Sequence, residues 1–133
     1  MNRSNGLCNI CNNEMETLDH LFYYCNYATQ VRQLVRTNIC NKVIHFDTTL
    51  NEECVFLGDT TNNNAALNSV IFTMKWAIWK IRNIKKYQNK ITSPNSAFIM
   101  IRHMLLENIK LYTKCTPQKN RIEHYNSLQQ ILM

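Results

Sequence analysis

Three cysteines and one histidine lie close together near the start of the chain, spaced Cys8-x2-Cys11-x8-His20-x4-Cys25. Their types and spacing are those of a zinc site. A Cys-x2-Cys turn supplies two thiolates from one tight knuckle, and a nearby His and Cys complete a tetrahedron. Three sulfurs and one nitrogen leave no position for water. The ion would therefore be structural, and ordinary zinc-dependent hydrolysis is not its chemistry. No Ser or Cys nucleophile stands in a recognisable partner motif, and the expectation is a protein that is not an enzyme.

The ligands must be held by local elements. Cys8 and Cys11 belong on a turn. Thr17 suits the N-cap of a short helix carrying His20, with Asp19 in its first turn. His20 and Cys25 are five apart, which no regular helix places on one face, so Cys25 is expected where that helix ends or loosens. Asn26 then caps a second helix, with Val31, Leu34, Val35 and Ile39 as its packed stripe. Residues 41–67 read ambiguously, with short apolar runs at 43–46 and 54–57. Residues 68–91 form the strongest helix. Val70, Met74, Ala77, Ile78, Ile81 and Ile84 line one face, and Phe72, Trp76 and Trp79 fall roughly opposite. Ser93-Pro94 starts another helix, with Phe98, Ile101, Leu105, Ile109 and Tyr112 as its stripe. A last helix carries Ile122, Tyr125, Leu128 and Ile131.

The 133 residues suffice for one compact domain or for a small metal module plus a helical body, and at 45% hydrophobic the chain is not disordered by composition. Only 2 Gly and 2 Pro argue against a turn-rich β fold. The expected fold is mainly α: a small Cys3His zinc knuckle joined to a helical bundle. Residues 1–40 would be the zinc-binding module with its following helix. Residues 41–133 would be a loop segment and the helical C-terminal region. The polar start MNRSNGL is no signal peptide, and no apolar run approaches the ~18 residues of a membrane span. An intracellular location, nucleus or cytoplasm, follows as an expectation. There the six cysteines are thiols or metal ligands rather than disulfides. A net charge of +6 favours a polyanionic partner.

The stretch CNICNNEMETLDHLFYYC, residues 8–25, resembles the zinc-binding segment that follows the reverse transcriptase of non-LTR (LINE-like) retrotransposons. The family pattern of Cys-x2-Cys, an acidic Glu-Thr, His-Leu-Phe and a last Cys is matched by Cys8, Cys11, Glu16-Thr17, His20-Leu21-Phe22 and Cys25. Val55-Phe56-Leu57-Gly58-Asp59 resembles the family's apolar-Gly segment, and KWAIWKIR, Lys75 to Arg82, its K-x-x-Ile-x-x-x-Arg helix. The resemblance covers roughly residues 6–90. It implies the C-terminal tail of such a polyprotein, here as a truncated fragment, which helps bind element RNA or target DNA. Polymerase chemistry is not expected, because Asp19, Asp47 and Asp59 are the only aspartates and stand isolated, whereas two-metal catalysis needs clustered carboxylates. The alternative is a structural or protein-interaction zinc module that packs on the reverse transcriptase body without touching nucleic acid. An inert remnant is the third reading.

Two further features admit two readings each. Lys75, Lys80, Arg82, Lys85, Lys86 and Lys90 are candidate phosphate contacts or a solvated face. Phe72, Trp76 and Trp79 are a stacking platform for bases or core residues on a helix buried on two sides, and the core reading is the expectation. Cys40, Cys54 and Cys115 read as buried thiols. Cys40, His45 and Cys54 form at most a fragment of a second metal site, and His103 and His124 are ordinary helix residues.

Overall fold

The computed structural model describes residues 6–40, 65–115 and 129. Mainly helical, it has no strand among the described residues and only one isolated antiparallel β-bridge, Leu7 to Met15. The apolar runs of 43–46 and 54–57, the Val55–Asp59 segment, His45 and Cys54 of the second cysteine set, and His124 lie outside this description. A π-helical turn, His20–Tyr24, leads into α1, Asn26–Val35, which continues as a second π-helical turn, Arg36–Cys40. The two long helices are α2, Ala65–Gln88, and α3, Pro94–Cys115.

Periodicity accounts for the packing. The core is built from Val31, Val35 and Ile39 of the α1 segment, Val70, Ile71, Met74, Ala77 and Ile81 of α2, and Ala97, Ile101, Leu105 and Ile109 of α3. These stripes make α3 the central element, with α1 and α2 both packed on it. Ser93 caps α3, its Oγ accepting the Ser96 N–H at 3.1 Å, and Pro94 takes the first helical position. Tyr27 of α1 ties to the α2–α3 connection by donating its hydroxyl to the Thr92 carbonyl at 2.8 Å.

Three expectations need correction. The long helix runs over Ala65–Gln88 rather than 68–91, because Asn89 adopts a left-handed conformation (φ 53°) and ends it. The N-cap of α1 is Cys25, not Asn26: its extended backbone (ψ 136°) lets its carbonyl accept the Thr29 N–H at 2.9 Å. Finally, the aromatics of α2 are not core. Phe72, Trp76 and Trp79 are 64%, 52% and 36% exposed. The described helices pack on the aliphatic side of α2, which leaves the opposite side outward.

Candidate metal centre

Residues 6–16 form a small closed knuckle. Cys8 N–H donates to the Glu14 carbonyl at 2.8 Å, and Glu16 N–H donates to the Gly6 carbonyl at 2.8 Å. The turn between is closed by Asn12 N–H on the Cys8 carbonyl at 2.9 Å, with Asn12 left-handed (φ 59°). Gly6 is also left-handed (φ 77°), and a Cβ there would press on Met15. This turn presents Cys8 and Cys11 inward together.

The other two ligands come from the π-helical turn. Thr17 begins it, as a capping residue should: Oγ1 accepts the His20 N–H at 3.0 Å, and its carbonyl accepts the Leu21 N–H at 2.9 Å. The Cys25 N–H then donates to the His20 carbonyl at 2.7 Å, an i to i+5 bond. This wide turn converts the awkward five-residue spacing into one helical revolution, so His20 and Cys25 converge. All four ligand atoms lie within 4.8 Å of one another, and Cys11 Sγ stands 3.3 Å from His20 Nε2. Among the described residues this is the one group able to hold a metal ion, and its three cysteines are free thiols.

The charge state of the sulfurs invites a cation. A hydrogen bond with Cys25 holds the Cys8 thiol down at about 5 despite burial, helped by the amides of Cys11 and Ile10. The same bond, burial and the Cys8 charge push Cys25 well up, against the amides of Tyr27 and Ala28. Three sulfurs and one imidazole are thus crowded together, with Cys8 and Cys25 hydrogen-bonded to each other.

The knuckle is anchored to α2 in two ways. Cys8, Leu21, Cys25, Ala28 and Ile78 form a small buried cluster, in which Ile78 of α2 is the apolar floor. Beside it, Glu16 bridges knuckle and helix. One carboxylate oxygen accepts the Asn9 backbone N–H at 2.9 Å and Asn9 Nδ2 at 3.0 Å. The other accepts Arg82 Nε at 3.0 Å and a second guanidinium N–H. Burial opposes ionisation of Glu16, but Arg82 and Asn9 outweigh it and hold its carboxyl below the usual value. The Arg82 guanidinium also lies 5.0 Å from the centre of the Trp79 ring. This latch is the functional feature that spacing alone misses. Nothing in the sequence pairs Glu16 with Arg82, 66 residues apart.

The basic candidates are placed unequally. Arg82 is committed to Glu16, the two side chains being only 12% and 17% exposed. Lys75 is half-buried, and burial lowers its pKa while Asp19 opposes the shift. Lys85 donates to Asn89 Oδ1 at 3.1 Å. Lys80, Lys86 and Lys90 are exposed, with Lys86 Nζ 5.3 Å from the Tyr87 ring centre. His103 is an exposed residue of α3. Between Asp59 and Glu107 there is no carboxylate side chain, whereas Lys75, Lys80, Arg82, Lys85, Lys86, Lys90 and Arg102 all fall there. The positive excess of the whole chain therefore resides in this stretch, since acids and bases nearly cancel elsewhere. Among the described residues no helix is long and apolar enough to cross a membrane.

Comparison with protein families, curated proteins and solved structures returned no match for this chain.

Proposed function

We infer that Cys8, Cys11, His20 and Cys25 hold zinc, and that the chain is a non-catalytic, nucleic-acid-binding module of the kind expected in the tail of a retrotransposon reverse transcriptase polyprotein. The donor set supports zinc. With Zn–S near ~2.3 Å and Zn–N near ~2.0 Å, a tetrahedron needs ligand atoms about 3.5–3.8 Å apart. The four atoms already lie within 4.8 Å of one another, so small adjustments close the shell. Zinc favours mixed thiolate–imidazole shells and brings no redox chemistry of its own. Bound there, it would neutralise the crowded thiolates and fasten the knuckle to α2 through Ile78 and the Glu16–Arg82 latch. The role of the metal is thus to position a basic helix. The partner would be RNA or DNA inside the cell, in nucleus or cytoplasm.

The observation that carries nucleic-acid binding is the carboxylate-free, lysine-rich stretch centred on α2. Phosphates bound by such a surface release counterions, so affinity falls with salt by a slope of about −0.7 to −0.9 per contact. We expect the zinc-loaded chain to bind labelled oligonucleotides weakly, with little sequence preference and a slope of roughly −2, from contacts by Lys80, Lys86 and Lys90. Lys80→Glu and Lys86→Glu should each lower affinity and flatten the slope by roughly 1. Fluorescence anisotropy across a salt series measures both. If the intact zinc-loaded chain binds no RNA or DNA even at low salt, the reading of a structural module docked on a polymerase body takes its place.

A further inference from the structure

The outward face of α2 has a composition that the metal centre does not explain. Phe72, Trp76, Trp79 and Tyr87 recur at helical spacing along one side and are 64%, 52%, 36% and 72% exposed. The stripe is about 22 Å long at 1.5 Å per residue. Lys80 and Lys86 flank it, one on each side, and α2 contains no Asp or Glu. The sorting of side chains is selective. Val70, Ile71, Met74, Ile78 and Ile81 are buried, so among the described side chains of this helix the exposed large apolar groups are all aromatic.

This selectivity decides among occupants. A second copy of the chain would bring lysines against lysines. A membrane surface would gain as much from aliphatic side chains, because insertion rewards apolar area rather than π faces. Duplex DNA hides its base faces within the stack. A single strand presents both complements at once: phosphates for the lysines and free base faces for the rings.

We propose that the exposed aromatic–lysine face of α2 is a stacking platform for single-stranded nucleic acid, with Trp76 and Trp79 as its main rings. The proposal rests on the nucleic-acid reading above and adds the site and the strandedness. The metal centre contributes indirectly. The knuckle fixes Glu16, Glu16 fixes the Arg82 guanidinium, and that group sits against the ring of Trp79. Arg82 and Glu16 are positioning residues, whereas Trp76 and Trp79 touch the bases.

The test uses the full zinc-loaded chain, a labelled single-stranded oligouridylate, a duplex of the same length, and vesicles of anionic phospholipid. Stacking contributes ~1–3 kcal/mol per base, which is about 5- to 150-fold in affinity. Trp76→Ala should therefore weaken single-strand binding by at least about fivefold without changing the melting temperature or the salt slope. Trp76→Phe should restore most of it. Single-strand binding by the wild type should quench tryptophan fluorescence and exceed duplex binding. If the wild type binds but Trp76→Ala and Trp79→Ala bind equally well, the platform is wrong and the nucleic-acid reading survives. Duplex binding as tight as single-strand binding, without quenching, likewise overturns the platform alone. Preference for vesicles, or no binding to any nucleic acid, overturns the platform and the reading beneath it together.

Discussion

Stripping zinc from the purified chain with a chelator should unfold the knuckle and leave the two long helices largely intact. Without the ion, the small cluster of Cys8, Leu21, Cys25, Ala28 and Ile78 must close around three sulfurs and an imidazole with no cation among them. A cluster of five residues cannot offset the entropy of ordering residues 6–25. In finger peptides the metal contributes an apparent ~10–16 kcal/mol at neutral pH, so the N-terminal module should be folded with metal and unfolded without it. Cys11→Ser should reproduce the effect. α2 and α3 meet in the larger core of Ile71, Met74, Ile81, Ile101 and Leu105, which contains no candidate ligand and shares only the partly buried Ile10 and Tyr27 with the small cluster. The expected record is a modest fall in far-UV circular dichroism, together with rapid amide exchange confined to the residues before α1. Loss of all helical signal on chelation would show instead that the bundle depends on the metal.

Breaking the Glu16–Arg82 latch should have the next largest effect. Removing one member of a nearly buried ion pair leaves the other without a partner, and here the Asn9 contacts of Glu16 would remain while its charge lost compensation. Arg82→Ala should destabilise the chain by about 2–4 kcal/mol. Glu16→Gln should cost less, because the amide oxygen can still accept from Asn9. The double variant should be more stable than the sum of the single effects, the sign expected for directly coupled side chains. Both variants should also weaken zinc binding, because a metal site formed by folding loses affinity when the fold around it loses stability. The latch predicts a pH dependence as well. The folded chain holds the Glu16 carboxyl below its ordinary 4.5, so its contribution is complete above that pH and fades as pH falls through the lowered value. Chemical denaturation of wild type and Glu16→Gln over the acidic range should show the difference between them shrinking as pH drops.

The sequence is most legible where side-chain type and spacing carry the constraint. The Cys3His cluster, the Thr17 and Ser93 caps and most of the aliphatic stripes of the three helices can be read directly, because side-chain spacing and helical period act over short distances, although Leu34 and Ile84 are only partly buried. The π-helical turn cannot be named from sequence, although the five-residue interval between His20 and Cys25 announces that a regular turn will fail. Two misplacements share one cause. Sequence puts Trp76 and Trp79 in the core because large apolar groups usually go there, and it groups Arg82 with the phosphate contacts because charged groups usually face water. Both depend on what packs beside α2, and Glu16 decides that for Arg82 from 66 residues away. Pattern along one helix says which residues share a face, but not which face is covered.

In the proposed function, Cys8, Cys11, His20 and Cys25 close on one zinc ion, which fastens the knuckle and its latch to α2. Metal analysis joined to X-ray absorption at the zinc edge tests this most directly, on chain prepared with zinc present. One zinc per chain is expected, with three sulfurs near ~2.3 Å and one nitrogen near ~2.0 Å. A metal content near zero, or a shell of different donors, would contradict it.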